Sequence, residues 1–321
     1  MRPNAEHHKQ GISVAEFIEH APAELEFSLL AGARGADDRR ITSVRIQKLG
    51  LALAGFARYI KLGRIQIAGQ SEISYLKQLD ENGRRNALEN LDVENICCIV
   101  LTTVLQPPSE LCEFAEANDL PLLRTPLVSS RTISLITDHL QERLAPTETV
   151  HGVLMEMYGI GVMLLGESGI GKSECALDLI SRGHRLVTDD VVRIKKIGKL
   201  LHGESPELTC EFLEIRGLGI VNVRELFGVS SICGRITIEL CIELRKWKDT
   251  GSIERIGLDM SEHEILGIST GKFVLPVSPG RNLSTLVETA VRVFMLRASG
   301  SNPVADLVER HDMIVARGRS K

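Results

Sequence analysis

Eight residues constrain this chain more than any others: Gly166, Glu167, Ser168, Gly169, Ile170, Gly171, Lys172 and Ser173. They follow the apolar run Val162-Met163-Leu164-Leu165 and precede residues 174–182, which read as a helix. The spacing G-x-x-x-x-G-K-S is that of a phosphate-binding loop. Its glycines let successive backbone N–H groups turn inward onto phosphate oxygens, through dihedral regions closed to bulkier residues. The helix that follows adds the positive end of its dipole. Lys172 is then within reach of β- and γ-phosphates, and the Ser173 hydroxyl is placed to ligate Mg²⁺. With a strand before it and a helix after it, the loop reads as a nucleotide site rather than a chance glycine turn.

At 321 residues the chain exceeds one ordinary core, and 43% hydrophobic residues are enough to fill two. The 38 Lys+Arg against 42 Asp+Glu leave a net charge of -4 without a long basic block, which argues against a nucleic-acid partner. No apolar run approaches the roughly 18 residues of a membrane span. The opening residues MRPNAEHHKQ are polar, so a cytoplasmic protein with no membrane contact is expected. None of the seven cysteines has C-x-x-C spacing, and they read as reduced core residues. Cys97 and Cys98 adjoin on a strand and are expected on opposite faces.

Ser13-Val14-Ala15-Glu16 is a capping box opening a short amphipathic helix. Beyond it, extended segments at 41–46, 64–67, 96–102 and 120–125 alternate with helical ones at 72–79, 84–91 and 110–118. That succession predicts a small α/β domain with a largely parallel sheet. Ile133, Ile136, Leu140 and Leu144 recur at three- and four-residue intervals, the mark of a helix with one buried face. Ala145-Pro146-Thr147-Glu148-Thr149 ends it and sets a boundary between an N-terminal α/β domain, 1–145, and a C-terminal domain, 146–321. The first domain carries no phosphate loop, metal cluster or nucleophile motif; regulatory, oligomerising and supporting roles all fit it.

Residues 150–157 and the strand before the loop read as a hairpin, with His151 at the start of its first strand. Such an entry, in place of a helical crossover, argues against a standard doubly wound sheet. His151 alone reads as structural. After Gly183 stops the helix, an apolar strand ends in Asp189-Asp190. Carboxylates at a strand end beside a phosphate loop suit holding Mg²⁺ or taking a proton from an attacking hydroxyl. Side by side they repel, so one is expected to hold its proton more tightly. Residues 213–223 then set an acid, a base and two glycines among aliphatic side chains. Buried charges are costly unless paired or ion-bound, which makes Glu214 a candidate metal ligand and Arg216 a candidate phosphate ligand. Residues 236–244 alternate as a half-buried strand, and a polar loop over 245–257 holds Trp247 and Arg255. Further strands at 265–268 and 273–277 end at Ser278-Pro279-Gly280-Arg281-Asn282, followed by a long helix over 283–298 and a weaker one over 306–317.

Six strings in one order make the chain resemble the HPr serine kinase family, the HPr kinase/phosphorylases. They are His151-Gly152, GESGIGKS, RGHRLVTDD, LEIRGLGIVNV, Glu254-Arg255-Ile256-Gly257-Leu258-Asp259 and PGRN. The resemblance is strong over residues 150–300, whereas the N-terminal part matches in length and α/β pattern. It implies a small N-terminal α/β domain and a C-terminal P-loop kinase domain of phosphoenolpyruvate carboxykinase-like type with a mixed sheet. It also implies a homohexamer. The activity implied is bifunctional: ATP-dependent phosphorylation of a serine of HPr, the phosphocarrier of the sugar phosphotransferase system, and reversal by phosphorolysis, with inorganic phosphate consumed and pyrophosphate released.

By the same resemblance Asp190 is the general base, and the acid in reverse. Lys172 holds the β- and γ-phosphates, Ser173 and Glu214 ligate Mg²⁺, Arg255 neutralises charge on the phosphoryl group in flight, and His151 stands beside the acid pair. One departure matters. Family members commonly read PVRPGRN where this chain has Pro276-Val277-Ser278-Pro279-Gly280-Arg281-Asn282. A cation has become a hydroxyl in a stretch linked in the family to dephosphorylation, so intact kinase activity with weaker or altered phosphorolysis is expected. Two readings compete: a related kinase with another protein or a small molecule as acceptor, and a non-catalytic nucleotide sensor. Retention of Lys172, Asp190, Glu214 and Arg255 together argues against the sensor, since binding alone needs only the loop.

Overall fold

The structure, a computed structural model, describes residues 11–246, 260–278, 280–300 and 313. Cα packing divides the chain into Met1–Ala145 and Pro146–Lys321. In the first unit β1 (Ile12–Ser13) leads into α1 (Val14–His20) through the capping box that the sequence predicts. Ser13 Oγ accepts the Glu16 N–H at 3.0 Å, and Glu16 Oε2 accepts the Ser13 N–H at 2.7 Å. Two otherwise orphaned donors are thereby satisfied.

The unit continues through β2 (Ser28–Ala31), β3 (Arg40–Ile41), β4 (Gln47–Lys48), α2 (Gly50–Leu53), β5 (Arg64–Ala68), α3 (Gln70–Gln78) and α4 (Glu81–Glu89). It closes with β6 (Ile96–Leu101), α5 (Ser109–Ala117), β7 (Leu122–Arg124) and α6 (Ser129–Arg143). The sheet order is β2-β7-β6-β5-β4, parallel from β4 to β7 with β2 antiparallel. Every residue of β6 is buried, as a strand covered on both faces requires. Leu76, Leu88 and Leu111 belong to one core cluster, and Phe17, Ile136 and Leu140 to another. Cys97 and Cys98 both join the second, because a register shift between β5 and β6 at this point breaks the alternation that would separate them. The expected strand over 41–46 is interrupted. Thr42 and Ser43 turn their N–H groups to Gly63 O at 3.0 and 3.2 Å, and Ser43 Oγ accepts the Arg45 N–H at 3.1 Å, so local bonds replace the ladder.

The second unit runs β8 (Thr147–His151), β9 (Val153–Met157), β10 (Ile160–Gly166), α7 (Lys172–Ser181), β11 (Arg185–Thr188), β12 (Val191–Ile197) and β13 (Leu200–Glu204). Then come β14 (Phe212–Ile215), β15 (Gly219–Asn222), α8 (Val223–Phe227), β16 (Arg235–Lys246), β17 (Ser261–Ile265), β18 (Ile268–Val277) and α9 (Leu283–Ala298). Among the described residues, nine strands form a mixed sheet ordered β11-β9-β10-β16-β13-β12-β8, with β18 on β16 and β17 on β18. β10, β16 and β18 are parallel; the other pairs are antiparallel. The hairpin β9–β10 turns through Tyr158 (φ 54) and Gly159 (φ 89), the paired left-handed geometry that matches strand twist.

His151, however, ends β8 and lies opposite Val191 of β12, outside that hairpin. Gly152 makes the break: a Cβ there would fall 2.7 Å from Leu164 O. β16 also outlasts its expected end at residue 244, since Arg245 and Lys246 pair with Pro276 and Val277 of β18. One core cluster brings Leu179 and Ile180 of α7 and Val287 and Val291 of α9 together with Val162, Leu240 and Phe273 of the sheet. Each such side chain contributes about 1.5–3 kcal/mol by leaving water. Gly166 lies opposite Leu244, and Leu244 opposite Leu275, so the three parallel strands end at one sheet edge. Ligand sites of α/β sheets form at such edges.

Candidate active site

β10 carries Gly166 to this edge, and the chain turns through residues 167–171 into α7, whose N-cap Gly171 has φ 103. Gly169 has φ 76, and a Cβ on it would fall 2.3 Å from Arg216 Nη2. Glycine is therefore required twice, by the left-handed backbone and by the guanidinium lying against it. Lys172 folds back over the loop, its Nζ donating to the carbonyls of Gly166 at 2.9 Å and Glu167 at 3.1 Å. Ser173 Oγ donates to Asp189, 3.0 and 3.1 Å from its two carboxylate oxygens. On the outer side of the loop Glu167 pairs with Lys246 at 2.7 Å.

The two adjacent acids have opposite surroundings. Asp189 is 6% exposed, and its Oδ2 also accepts the Glu214 N–H at 3.1 Å. Burial pushes its carboxyl above the usual range, outweighing the bonds from the Glu214 N–H and Ser173 that lower it. The charge of Asp190 raises it least. Desolvation, more than the mutual repulsion expected from the sequence, is therefore what makes Asp189 hold its proton more tightly. Asp190 takes a left-handed φ of 66, which turns its side chain out to 78% exposure, with Oδ1 3.5 Å from His151 Nδ1. The Gly152 N–H donates to Asp190 O at 3.0 Å and keeps the end of β8 beside it.

Glu214 and Arg216 are not buried charges among aliphatic residues, as the sequence suggested. β14 and β15 form their own two-stranded hairpin. Leu213 and Ile215 point inward from it, while Phe212, Glu214 and Arg216 are exposed. The bond from the Glu214 backbone to Asp189 stations this hairpin over the phosphate loop. A cavity of about 140 Å³ results, lined by Ser168, Gly169, Gly171, Lys172, Ser173, Glu174, Asp189, Asp190, Glu214 and Arg216. Larger clefts include one of about 320 Å³ on the outer side of the loop, lined by Gly166, Glu167, Glu243 and Lys246, and two on the first unit, about 430 Å³ beside Glu110 and Phe114 and about 490 Å³ beside Arg39 and Cys97. Neither of the latter two contains a phosphate loop, so size does not mark the site here.

Pro276 and Val277 end β18 at the loop's edge of the sheet, and Ser278 O accepts the Arg281 N–H at 3.4 Å in a turn where Gly280 has φ 81. None of these residues is among those lining the cavity. Arg255, Pro279 and Trp247 lie outside the described residues, as does the helix expected over 306–317 apart from Met313. Sequence reasoning missed Glu174 on the cavity wall, although its place after Lys172-Ser173 was a usable signal. It also missed the Lys246–Glu167 pair, which joins residues 79 apart and leaves no local trace.

Two family models match most of the chain: HPr Serine kinase N terminus over residues 12–140 and HPr Serine kinase C-terminal domain over residues 142–311. The chain is similar to the HPr kinase/phosphorylase of Geobacter sulfurreducens, with 43% identity over 307 residues and 95% of each chain covered. It is 42% identical over 296 residues to that of Caldicellulosiruptor bescii, covering 92% of this chain and 95% of the relative. With that of Bacillus subtilis the identity is 37% over 294 residues, covering 89% and 94%.

Proposed function

The chain belongs to the HPr serine kinase family, and from that premise we infer that it phosphorylates a serine of HPr and reverses the reaction by phosphorolysis. One observation carries the assignment of the site: the loop, the acid pair and the Glu214–Arg216 hairpin share the walls of a single small cavity. Among the described residues, four carboxylates and two cations line it. A nucleotide triphosphate would add further negative charge, and a divalent cation resolves that excess. Mg²⁺ fits the hard oxygen donors here, as it is commonly held by one or two protein carboxylates together with substrate phosphates. Ser173 and Glu214 are the ligands we assign, and when bound the ion neutralises charge on the phosphates of ATP.

The roles of the two acids follow from their surroundings. A serine hydroxyl that gives a lone pair to a metal must donate its hydrogen elsewhere, and Asp189 is the acceptor Ser173 has. Asp190 is exposed, so an incoming protein serine reaches it from solvent. In the forward direction its carboxylate takes the serine proton while the serine oxygen bonds to the γ-phosphorus and the bond from that phosphorus to the β,γ-bridging oxygen breaks. In reverse, inorganic phosphate attacks the phosphoserine phosphorus. The P–O bond to serine breaks, Asp190 returns the proton to that oxygen, and pyrophosphate leaves. Lys172 and Arg216 hold phosphate oxygens, His151 orients Asp190, and Arg255 takes the charge-neutralising role that the family resemblance implies. Positioning and electrostatics supply most of the acceleration of such transfers.

We place the enzyme in the cytoplasm, where ATP is at hand, and expect a homohexamer; sedimentation as a monomer would remove the latter. Among the described residues no helix is long and apolar enough to cross a membrane. Incubation of the purified chain with ATP, Mg²⁺ and HPr should produce one phosphoserine on HPr. Its absence would return the choice to another acceptor or a sensor.

Two consequences are specific to this chain. Asp189→Asn should weaken Mn²⁺ affinity in the nucleotide complex by about 10–100-fold, the usual cost of losing an outer-shell partner. Titration followed by electron paramagnetic resonance checks this, and unchanged affinity would remove Asp189 from the metal site. Ser278→Arg should restore the family's cation and speed release of pyrophosphate from phospho-HPr several-fold with little change in kinase rate. Equal phosphorolysis rates would sink that idea.

A further inference from the structure

The cavity of about 140 Å³ has room for phosphates but not for a protein, so recognition of the acceptor has to lie on its rim. Part of that rim is the β14–β15 hairpin. Residues directly opposite each other in an antiparallel pair face the same side, and Glu214 is opposite Ile220. The face that turns Glu214 to the cavity therefore also carries Ile220, which is 72% exposed. Phe212 lies on this face at 42% exposure, and Leu218, at the turn beside Arg216, is 74% exposed. Leu226 and Val229 follow in the chain at 62% and 71%. The hairpin needs none of these for its own core, because Leu213 and Ile215 already anchor it from the other side. Apolar side chains clustered at the mouth of a polar site mark a contact surface.

We propose that the outward face of this hairpin, through Phe212, Leu218 and Ile220, is the docking surface for the acceptor protein, which presents an apolar patch beside its acceptor serine. This rests on the kinase reading above. A second copy of the chain held here permanently would cover the residues that line the phosphate cavity and close it to an incoming serine. A substrate that leaves after each turnover has no such conflict. Glu214 and Arg216 then stand between the docked patch and the phosphates, so docking and metal-phosphate binding meet on one short element.

The test is a full-length Leu218→Ser/Ile220→Thr double variant, with Phe212→Ser as a second. HPr affinity is measured by calorimetric titration, KM and kcat by phosphoserine formation, ATP affinity by thermal protection, and mass by sedimentation. The proposal expects HPr affinity to fall and KM for HPr to rise by at least about tenfold, equivalent to 1.4 kcal/mol, with ATP affinity, mass and kcat at saturating HPr preserved. Unchanged HPr affinity overturns it. So does a loss of mass with HPr affinity kept, which makes the face a contact between copies, and so does a fall in kcat alone, which makes the hairpin a support for Glu214. Wild-type protein that binds HPr on this face without phosphorylating it would overturn the kinase reading but not the docking surface. Wild-type protein that does not bind HPr overturns both.

Discussion

Asp190→Asn is expected to slow HPr phosphorylation by roughly 10²–10⁴-fold, the contribution of a positioned general base, with ATP affinity almost unchanged. Asparagine keeps the size of the side chain but has no carboxylate to take the proton. The substitution spares the phosphate grip, since Asp190 bonds to neither loop nor helix and its carboxylate is 78% exposed. Phosphorolysis should fall with it, because in the proposed mechanism the same group returns the proton to the serine oxygen. Steady-state rates in both directions, with an ATP titration alongside, check the outcome. A variant that kept more than about a tenth of wild-type rate would move the base elsewhere. Its neighbour provides the contrast: excess Mg²⁺ should rescue Asp189→Asn and should leave the slow rate of Asp190→Asn unchanged.

Lys172→Ala is expected to cost roughly 10²–10³-fold in kcat, as loss of one preorganised donor to a reacting phosphate does, and to weaken ATP binding as well. The Lys172 ammonium donates to two loop carbonyls at 2.9 and 3.1 Å, so its charge is already held against the loop. Arginine should rescue little, since a planar fork does not substitute for a compact point charge in so small a space. Kinetics with saturating HPr and an independent ATP affinity separate the two effects. A kcat reduced less than about tenfold would take the lysine out of the transition state.

Much of the fold was legible because its signals are local. The Ser13–Glu16 capping box, the periodicity of α6 and the glycine spacing of the loop are each set by residues within a turn or two of one another, and each is formed. Misreadings came where distant groups intervene. The strand expected over 41–46 is interrupted by Gly63, and Cys97 and Cys98 share a cluster because β5 and β6 shift register. β16 extends to Lys246 because β18 pairs with it there. No periodicity within a segment reports what its partner strand does.

The site divides along the same line. From the order of its residues alone the chain announces a phosphate loop, an acid pair, and a glutamate and arginine worth testing, and family membership follows from six strings in one order. The resemblance names Asp190 as the base, but nothing in the order of the residues gives the physical reason why that aspartate, and not its neighbour, is free to act. Asp189 and Asp190 are chemically identical neighbours until β11 ends and one carboxylate turns in to Ser173 and the Glu214 N–H while the other turns out beside His151. Sequence determines which side chains are present and the local turns that carry them. Burial of a charge is a property of everything packed around it, and only the tertiary structure decides that.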